Sequence, residues 1–257
     1  MKKAQSVGLI GTGSLTDSPL TRFWWLSERL GPVKSVSYRV ASRIANMLRA
    51  GHPVKDYAEF ESCALILVCV PEGTVARVVS EMVSAGISWR GKAVVLCSAW
   101  LDSGELRELA SHGASIGSIT PIPGFEDQRY LVEGDPLAIR QARSLVEHRE
   151  RRAVAIERSL KPFYLAAVTC TSSLLFAMIL AGFESLRHAR IPPALAATLL
   201  ERQITRTFRS FVKGGRRAYP QLREIPRQLR SLSSASPELA YYLEQSTRLA
   251  SRLMSKR

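Results

Sequence analysis

The stretch Ser6-Val7-Gly8-Leu9-Ile10-Gly11-Thr12-Gly13-Ser14-Leu15 decides the fold of this chain. Its first residues are small or apolar, which is typical of a buried first strand. The glycines after them let the backbone turn sharply and approach a ligand closely. A helix that begins soon after such a turn offers free N–H groups to an anion, usually a pyrophosphate. The stretch therefore predicts a nucleotide-binding turn made by Gly11, Thr12, Gly13, Ser14 and Leu15, with an ordinary glycine turn as the alternative.

This turn departs from the usual dinucleotide fingerprint. The third glycine position, counted from Gly11, holds Thr16. Ser18 as N-cap and Pro19 as first helical residue predict where the next helix begins, because proline is tolerated only in the first turn. Gly31 predicts where that helix ends. The phosphate loop is therefore predicted to be longer than the standard turn.

The length and composition are those of a folded globular protein. The chain has 257 residues, of which 46% are hydrophobic and 23% are charged, enough for one large domain or two of ordinary size. Its four cysteines have no metal-type spacing, and no secretory signal precedes Gly11. The expectation is a reduced, cytoplasmic protein without a metal site.

The net charge of +14 is unevenly distributed. Residues 1–150 carry 17 Lys and Arg against 16 Asp and Glu, a net charge of +1, whereas residues 151–257 carry 19 against 6, a net charge of +13. An acidic partner or ligand is one explanation, and a solvated basic surface is the other. Because the sequence contains no recognised nucleic-acid motif, no specific nucleic-acid partner is predicted.

Short apolar strands alternate with helical patterns in the first part of the chain. The predicted strands after the first are 33–38, 64–70, 93–97, 115–119, 131–133 and 153–156, with helices over 75–83, 103–112 and 137–146. This alternation predicts an α/β fold with a Rossmann-type, doubly wound parallel sheet over residues 1–158. Residues 159–257 show only helical patterns and predict an all-α C-terminal domain.

The helical part contains an uncharged run, residues 162–183, that is long enough to cross a bilayer. A polar run over 169–173 interrupts it and no second such run exists, so burial inside a domain or a dimer is expected rather than a membrane span. Further helices are predicted from Pro193 and from about Pro237 to Met254. An Arg-, Ser- and Pro-rich link over 214–236, expected to be partly mobile, separates them.

Candidate site residues are those that follow the carboxyl ends of the strands, because ligands of open α/β sheets bind there. After the second strand there is no carboxylate for the ribose of NAD. Arg39, with Arg43 one helical turn on, instead offers a cation to the 2′-phosphate of NADP. NADP is therefore favoured over NAD, and ordinary surface arginines are the alternative.

Three further strand ends face the same predicted crevice. Val70 and Pro71 end the third long strand and are predicted to flank the cofactor. Ser98 follows the next strand and Thr120 the one after it, and both are predicted to contact cofactor or substrate. Each of these residues is also common in ordinary turns that bind no ligand. The prediction therefore depends on their shared position at one edge of the sheet.

These motifs together resemble a known family. Their order is Gly11-Thr12-Gly13, Val70-Pro71-Glu72, Cys97-Ser98-Ala99, Thr120-Pro121, Gly134-Asp135 and Lys161-Pro162-Phe163-Tyr164. It is similar to that of uncharacterised Rossmann-like proteins related to pyrroline-5-carboxylate reductase and the deazaflavin-dependent NADP oxidoreductases. Their helical second domain resembles that of 6-phosphogluconate dehydrogenase and usually mediates dimerisation. The resemblance implies an NADP-linked oxidoreductase, a substrate pocket between two domains, and a homodimer formed by the C-terminal helices.

Several positions depart from the family pattern. Leu96 stands where the family has the His of His-Cys-Ser-Gly, and Thr120 replaces the His of its His-Pro. Leu165 and Ser173 replace a His and an Asn of the family helix. The loss of these groups supports an alternative function, a non-catalytic nucleotide-binding sensor or scaffold that has kept the fold.

The reaction that the resemblance implies is hydride transfer between NADP and a small C=N or C=O substrate. Lys161 is the predicted proton donor or electrostatic stabiliser, because an ammonium at a helix N-terminus is otherwise unfavourable. Tyr164 and Ser98 are predicted to orient the substrate, and Arg216 and Arg217 to bind an anionic group of it. A basic protein that binds a polyanion through the helix after Pro193 is a third alternative.

Overall fold

The architecture is that of a computed structural model, which describes residues 7–11, 29–126, 128–147, 150–218 and 225–255. The chain divides into two compact units, Met1–Val168 and Thr169–Arg257. The predicted phosphate-loop residues after Gly11, and the predicted helix start at Ser18 and Pro19, lie outside the described residues.

An eight-stranded, mostly parallel sheet forms the centre of the first unit. The strands are β1 (Val7–Gly11), β2 (Leu30–Lys34), β3 (His52–Pro53), β4 (Leu65–Cys69), β5 (Ala93–Leu96), β6 (Ser115–Pro121), β7 (Arg129–Gly134) and β8 (Arg152–Ala155). They lie in the order β3-β2-β1-β4-β5-β6-β7-β8. Pairing is antiparallel between β6 and β7 and parallel between the other neighbours. The strand order reverses at β1 and β4, which opens a crevice at their carboxyl ends.

Helices cover both faces of the sheet. Helices α1 (Tyr38–Leu48) and α4 (Pro136–Val146) pack on one face, and α2 (Val75–Val83) and α3 (Arg107–Ser111) pack on the other. Every residue of β1, β4 and β5 is consequently buried, which explains why these strands are continuous apolar runs rather than alternating ones. The predicted Rossmann-type, doubly wound sheet is confirmed.

Two predictions at the second strand are wrong. Gly31 does not end a helix but lies inside β2, and the strand ends at Lys34 instead of continuing to Tyr38. The hydroxyl of Ser37 accepts a hydrogen bond from the N–H of Val40 (3.3 Å), so Ser37 caps α1 and the helix begins at once. A cap outweighs an apolar pattern here because it satisfies an N–H that has no partner inside the helix.

The predicted single helix after Lys161 consists of two. Helix α5 covers Lys161–Thr171 and α6 covers Ser173–His188, with Ser172 between them at φ −116° and ψ −87°. The break falls in the predicted polar run, where Ser and Thr side chains compete for backbone hydrogen bonds.

The second unit contains three more described helices, α7 (Pro193–Gly214), α8 (Ile225–Ala235) and α9 (Pro237–Ser255). Helices α6 and α7 approach closely at Gly182, where an added Cβ would lie 2.9 Å from Leu200. Residues 225–235 of the predicted Arg-, Ser- and Pro-rich link form the helix α8. Its serines fit into a helix by bonding back to the preceding turn, as Ser233 Oγ does to the Leu229 carbonyl (2.7 Å).

Large apolar side chains lie on the surface of α6 and α7, among them Leu174, Phe176, Met178, Phe208 and Phe211. Among the described residues, the stretch Arg158–His188 is long and apolar enough to cross a membrane by length and composition, and its most apolar 18-residue window has a mean hydropathy of 1.9. None of its most apolar 18-residue window is buried. The single chain therefore does not bury this run, so the expected burial inside a domain is not observed.

Candidate functional site

The carboxyl ends of β1 and β2 are joined by a hydrogen bond. Ser35, just after β2, donates from its hydroxyl to the carbonyl of Gly11 (2.6 Å). Among the described residues, a Cβ added at Gly11 would be in ordinary van der Waals contact, with Ile44 Cδ1 nearest at 3.5 Å. A Cβ at Gly8, by contrast, would lie 2.3 Å from Phe60. Gly11 is buried at the carboxyl end of β1, and packing of the described residues does not explain why this position is a glycine.

The edge beside this strand end is cationic. Arg39 lies in the first turn of α1, is exposed, and forms no ion pair among the described residues. That turn contains no acidic residue, and Arg43 is exposed one turn further along the same helix. An unpaired guanidinium here suits a phosphate, to which it can donate two parallel hydrogen bonds.

Hydrogen bonds tie together the ends of β4, β5 and β6. The Ser98 hydroxyl donates to Glu72 Oε1 (3.0 Å) and accepts from the N–H groups of Trp100 (3.1 Å) and Leu101 (3.0 Å). Thr120 donates from Oγ1 to the Ser98 carbonyl (2.5 Å). Both hydroxyls predicted to contact a ligand therefore have partners inside the chain, and they fix the loop after β5.

Val70 and Pro71 lie where the sequence places them, directly after β4. Val70 is half-buried, and Pro71 precedes the 3-10 turn Glu72–Thr74. Sequence reasoning quoted Glu72 in the same motif but gave it no function. The signal that could have identified it is a carboxylate at a strand end in the predicted crevice.

Lys161 is completely buried at the start of α5. Its Nζ donates to the Leu101 carbonyl (2.5 Å) and to Ser118 Oγ (2.7 Å), and lies 3.7 Å from Glu133 Oε1. Burial lowers the pKa of Lys161, and the charges of Glu133 and Asp102 oppose that shift. The nearby carboxylate removes the electrostatic objection to an ammonium at this helix end.

Glu133, the last residue but one of β7, is the other half of this buried cluster. It accepts hydrogen bonds from the N–H and hydroxyl of Ser103 (2.8 and 2.6 Å) and from Ser118 Oγ (2.5 Å). Arg158 Nε donates to Ser103 Oγ (2.7 Å) and lies 3.6 Å from the carboxylate. Burial alone raises the pKa of Glu133, but the Ser103 and Ser118 hydrogen bonds and the charge of Lys161 outweigh it, and the pKa is lowered.

The sequence analysis missed Glu133 and its serine partners. The available signal was a glutamate inside the apolar run Tyr130-Leu131-Val132-Glu133, because a carboxylate on a covered sheet face needs a buried partner. Lys161 begins α5, as the sequence analysis placed it, and its predicted action on the substrate stays a prediction. Only the structure shows that its ammonium is directed into the protein.

Tyr164 lies one turn after Lys161 on α5. Its hydroxyl oxygen is buried and has no hydrogen-bond partner among the described residues, and burial raises the pKa of this phenol. Tyr164 therefore stays protonated at neutral pH with an unused donor. Arg216 and Arg217 are exposed in the 3-10 turn Gly215–Ala218 of the second unit, and substrate binding by them stays a prediction.

The comparisons with known proteins extend the description of the fold. No family model matches the sequence, and no curated protein matches it. Among solved structures, a protein of Bacteroides fragilis assigned as an NADP oxidoreductase is 17% identical with a TM-score of 0.68, over 95% of this chain and 96% of that one.

Two further structures carry bound ligands. A reductive aminase of Aspergillus terreus in complex with NADPH and ethyl levulinate is 15% identical (TM-score 0.62; 96% and 94% of the two chains). An imine reductase variant of Myxococcus stipitatus in complex with NAD+ is 16% identical (TM-score 0.66; 95% and 88%). At these identities the likeness concerns the fold, and it confirms the Rossmann-like architecture with a helical C-terminal part that the sequence resemblance implied.

Proposed function

We propose that this protein is an NADP-dependent oxidoreductase that transfers hydride to or from a small C=N or C=O substrate. The proposal depends mainly on the carboxyl ends of β1 and β2, which a hydrogen bond from Ser35 to the Gly11 carbonyl joins. There Gly11 ends β1 in register with Cys69 of β4, and Arg39 is exposed with no ion pair among the described residues. Solved structures of this fold that bind NADPH or NAD+ support the assignment.

The residues at this edge fit a dinucleotide in type and position. Gly11 and the turn residues 12–15 would hold the pyrophosphate through backbone N–H groups. Arg39 would pair with the 2′-phosphate. Val70 and Pro71 would flank the second half of the cofactor, because a dinucleotide crosses the crevice from the β1 side to the β4 side. NADPH supplies the hydride when it is bound.

The chain's own polar groups orient the substrate. We assign to Tyr164 a hydrogen bond to the reacting nitrogen or oxygen, because its hydroxyl has no other described partner. Lys161 becomes a positioning residue, since its ammonium joins the first turn of α5 to Leu101 and Ser118. Ser98 and Thr120 act in the same way on the loop after β5.

A second candidate function is a nucleotide-binding sensor or scaffold. The specific observation in its favour is that Lys161, Ser98 and Thr120 all have internal hydrogen-bond partners. Such a protein binds NADPH without turnover, whereas an enzyme oxidises the bound NADPH when an imine or ketone is added.

Fluorescence titration with NADPH and NADH tests the cofactor assignment. The wild type is expected to prefer NADPH, and Arg39→Ala to weaken NADPH binding about tenfold while leaving NADH binding unchanged, because only NADPH has the 2′-phosphate. Arg140→Ala, an exposed arginine of α4, is the matched control. Equal affinities for the two cofactors in both proteins would remove the Arg39 assignment, and absence of binding would remove the proposed function.

We also propose that the protein is a cytoplasmic homodimer in which a second copy covers the apolar surface of α6. The exposed side chains on this helix, such as Phe176, support this. Sedimentation velocity is expected to show a dimer for the wild type and a folded monomer for Phe176→Glu, because Phe176 is 69% exposed in the single chain. Thr198→Glu, on the polar face of α7, should remain dimeric. A monomeric wild type, or a dimeric Phe176→Glu, would contradict the proposal.

A further inference from the structure

Two cysteines lie side by side at the carboxyl edge of the sheet. Cys69 is the last residue of β4, and Cys97 directly follows β5. The two strands are parallel and in register, with Val68 opposite Leu96, so Cys69 and Cys97 are the next residues along them. The N–H of Cys97 donates to the Val68 carbonyl (2.8 Å), which extends the pairing of the strands to this position.

Both thiols lie on the same face of the sheet. Cys69 and Cys97 pack in the core cluster that contains Leu67 and Val95, each of which is two residues earlier on its strand. Side chains two residues apart share one face of a strand. Cys63 packs in the cluster on the other face, so it is not part of the pair. Burial raises the pKa of the Cys69 thiol, and its hydrogen bond to Cys97 and the charge of Cys97 raise it further.

The position of the pair suits a disulfide. Neighbouring strands of a sheet lie about 4.8 Å apart, and disulfides join Cα atoms about 4.4–6.8 Å apart whose Cβ atoms do not point away from each other. Neither β4 nor β5 continues beyond this pair, so no later hydrogen bond between the two strands opposes a small adjustment of their ends.

The pair is accessible to a small oxidant but not to a large one. Cys69 is 7% exposed and Cys97 is 8% exposed, whereas Cys63 is 1% exposed. Oxidation of a cysteine depends on its exposure as well as on its ionisation. Disulfides of cytosolic proteins are usually transient, and they sense oxidants or take part in catalysis. A partly exposed pair that the proposed hydride transfer does not use fits the sensing kind.

We propose that Cys69 and Cys97 are a redox-modification site, which hydrogen peroxide converts into an intramolecular disulfide. One thiolate of the pair attacks a peroxide oxygen, the O–O bond breaks, and the hydroxide takes up the proton that the thiol released and leaves as water. The other thiol attacks the sulfur of the resulting sulfenic acid, the S–S bond forms and a second water leaves. Two thiols are oxidised, and one peroxide is reduced to two waters.

The disulfide alters the carboxyl edge at which NADPH is proposed to bind. Cβ atoms in a disulfide lie about 3.8 Å apart, so the bridge draws the end of β4 toward β5. Cys69 pairs in register with Gly11 of β1, and the end of β4 therefore shifts relative to the predicted phosphate turn. Binding sites lose affinity when their groups leave the productive geometry. This effect on NADPH, unlike the disulfide itself, rests on the proposed function.

Peptide mass spectrometry tests the disulfide. The folded wild type is treated with hydrogen peroxide, its remaining thiols are alkylated, and trypsin releases peptide 56–77, with Cys63 and Cys69, and peptide 93–107, with Cys97. The two peptides should be joined, with a mass two hydrogens below their sum, and dithiothreitol should separate them. Cys69→Ala should abolish the joined peptide, and Cys63→Ala, the matched control, should keep it. A wild type without the joined peptide, or a Cys69→Ala variant that keeps it, would overturn the assignment.

Fluorescence titration with NADPH tests the effect on the carboxyl edge. The oxidised wild type should bind NADPH at least about threefold more weakly than the reduced protein, and dithiothreitol should restore the affinity. Cys69→Ala should bind NADPH equally well before and after peroxide treatment. Equal affinities of the reduced and the cross-linked wild type would overturn this effect and leave the modification site. A reduced wild type that binds no NADPH would overturn the proposed function, so the two failures are distinguishable.

Discussion

Two polar regions of the first unit differ in where their hydrogen bonds go. In the buried cluster of Lys161, Glu133, Ser118 and Ser103, each charged or hydroxyl group has a partner within the chain. At the carboxyl edge, Arg39 and Glu72 are exposed and form no ion pair among the described residues. Both regions contain the residue types expected of an active site.

The difference shows that residue type alone does not distinguish a structural polar group from a ligand-binding one. Lys161 is the most reactive residue type in the predicted site, yet its ammonium is saturated by Leu101, Ser118 and Glu133. Burying a charge is costly unless a counter-charge and hydrogen bonds accompany it. The counter-charge and the hydrogen bonds of this cluster all come from the chain itself, so no ligand is needed to stabilise its charges.

The largest effect should follow from removing the cation of the buried cluster. Lys161→Met leaves the Glu133 carboxylate buried without its ammonium partner, and should lower the free energy of unfolding by about 3 kcal/mol. Urea-induced unfolding measures the change. NADPH affinity of the folded variant should stay within about twofold, because the carboxyl-edge residues Gly11 and Arg39 are unchanged.

Lys213→Met, at an exposed position of α7, is the control for the loss of a lysine and should change stability by less than about 0.5 kcal/mol. If Lys161→Met is as stable as the wild type but no longer oxidises NADPH with substrate, the buried cluster is not purely structural and the distinction between the two regions is wrong. That result would support the original prediction that Lys161 acts on the substrate.

A smaller effect should separate the two glycines of β1. Gly8→Ala places a Cβ 2.3 Å from Phe60 Cδ1 and should cost about 1–3 kcal/mol of stability through overpacking. Among the described residues, the new Cβ of Gly11→Ala would come no nearer to another atom than 3.5 Å, to Ile44 Cδ1. The change should therefore leave stability nearly unchanged and weaken NADPH binding about tenfold, because the added methyl group would contact the ligand.

Each variant is the control for the other, measured by urea unfolding and by NADPH titration. If Gly11→Ala binds NADPH as well as the wild type does, no ligand approaches the backbone at the end of β1, and the cofactor proposal loses its main support. If Gly8→Ala is as stable as the wild type, the Phe60 side chain has moved to make room for the methyl group at no cost in the free energy of unfolding.

Much of the fold could be predicted from the sequence. The runs 65–69 and 93–96 are apolar because helices cover both sheet faces, and short apolar runs between glycine or proline residues are visible in the sequence. The predicted helix and strand boundaries were wrong at two serines, where local hydrogen bonding determines where a helix begins or ends. Ser37 begins α1 earlier than the apolar pattern implies, and Ser172 divides the long helix after Lys161.

The candidate site was predictable only in outline. The rule that ligands bind beyond the carboxyl ends of strands located Ser98, Thr120 and Arg39 at one edge. It could not show that the Ser98 hydroxyl is directed to Glu72, because these residues follow different strands and are 26 positions apart. Such partners depend on strand order and register, which residue spacing does not encode.

The sequence by itself determined the strand-and-helix alternation and the cationic position at Arg39, because these are local patterns of residue size, polarity and charge. Only the tertiary structure decided that Lys161 faces inward to Glu133 and that Glu72 has no ion-pair partner among the described residues. The physical reason is that desolvation and pairing depend on neighbours brought together by the sheet. Whether a charged side chain stabilises the protein or binds a ligand follows from the partners it has there.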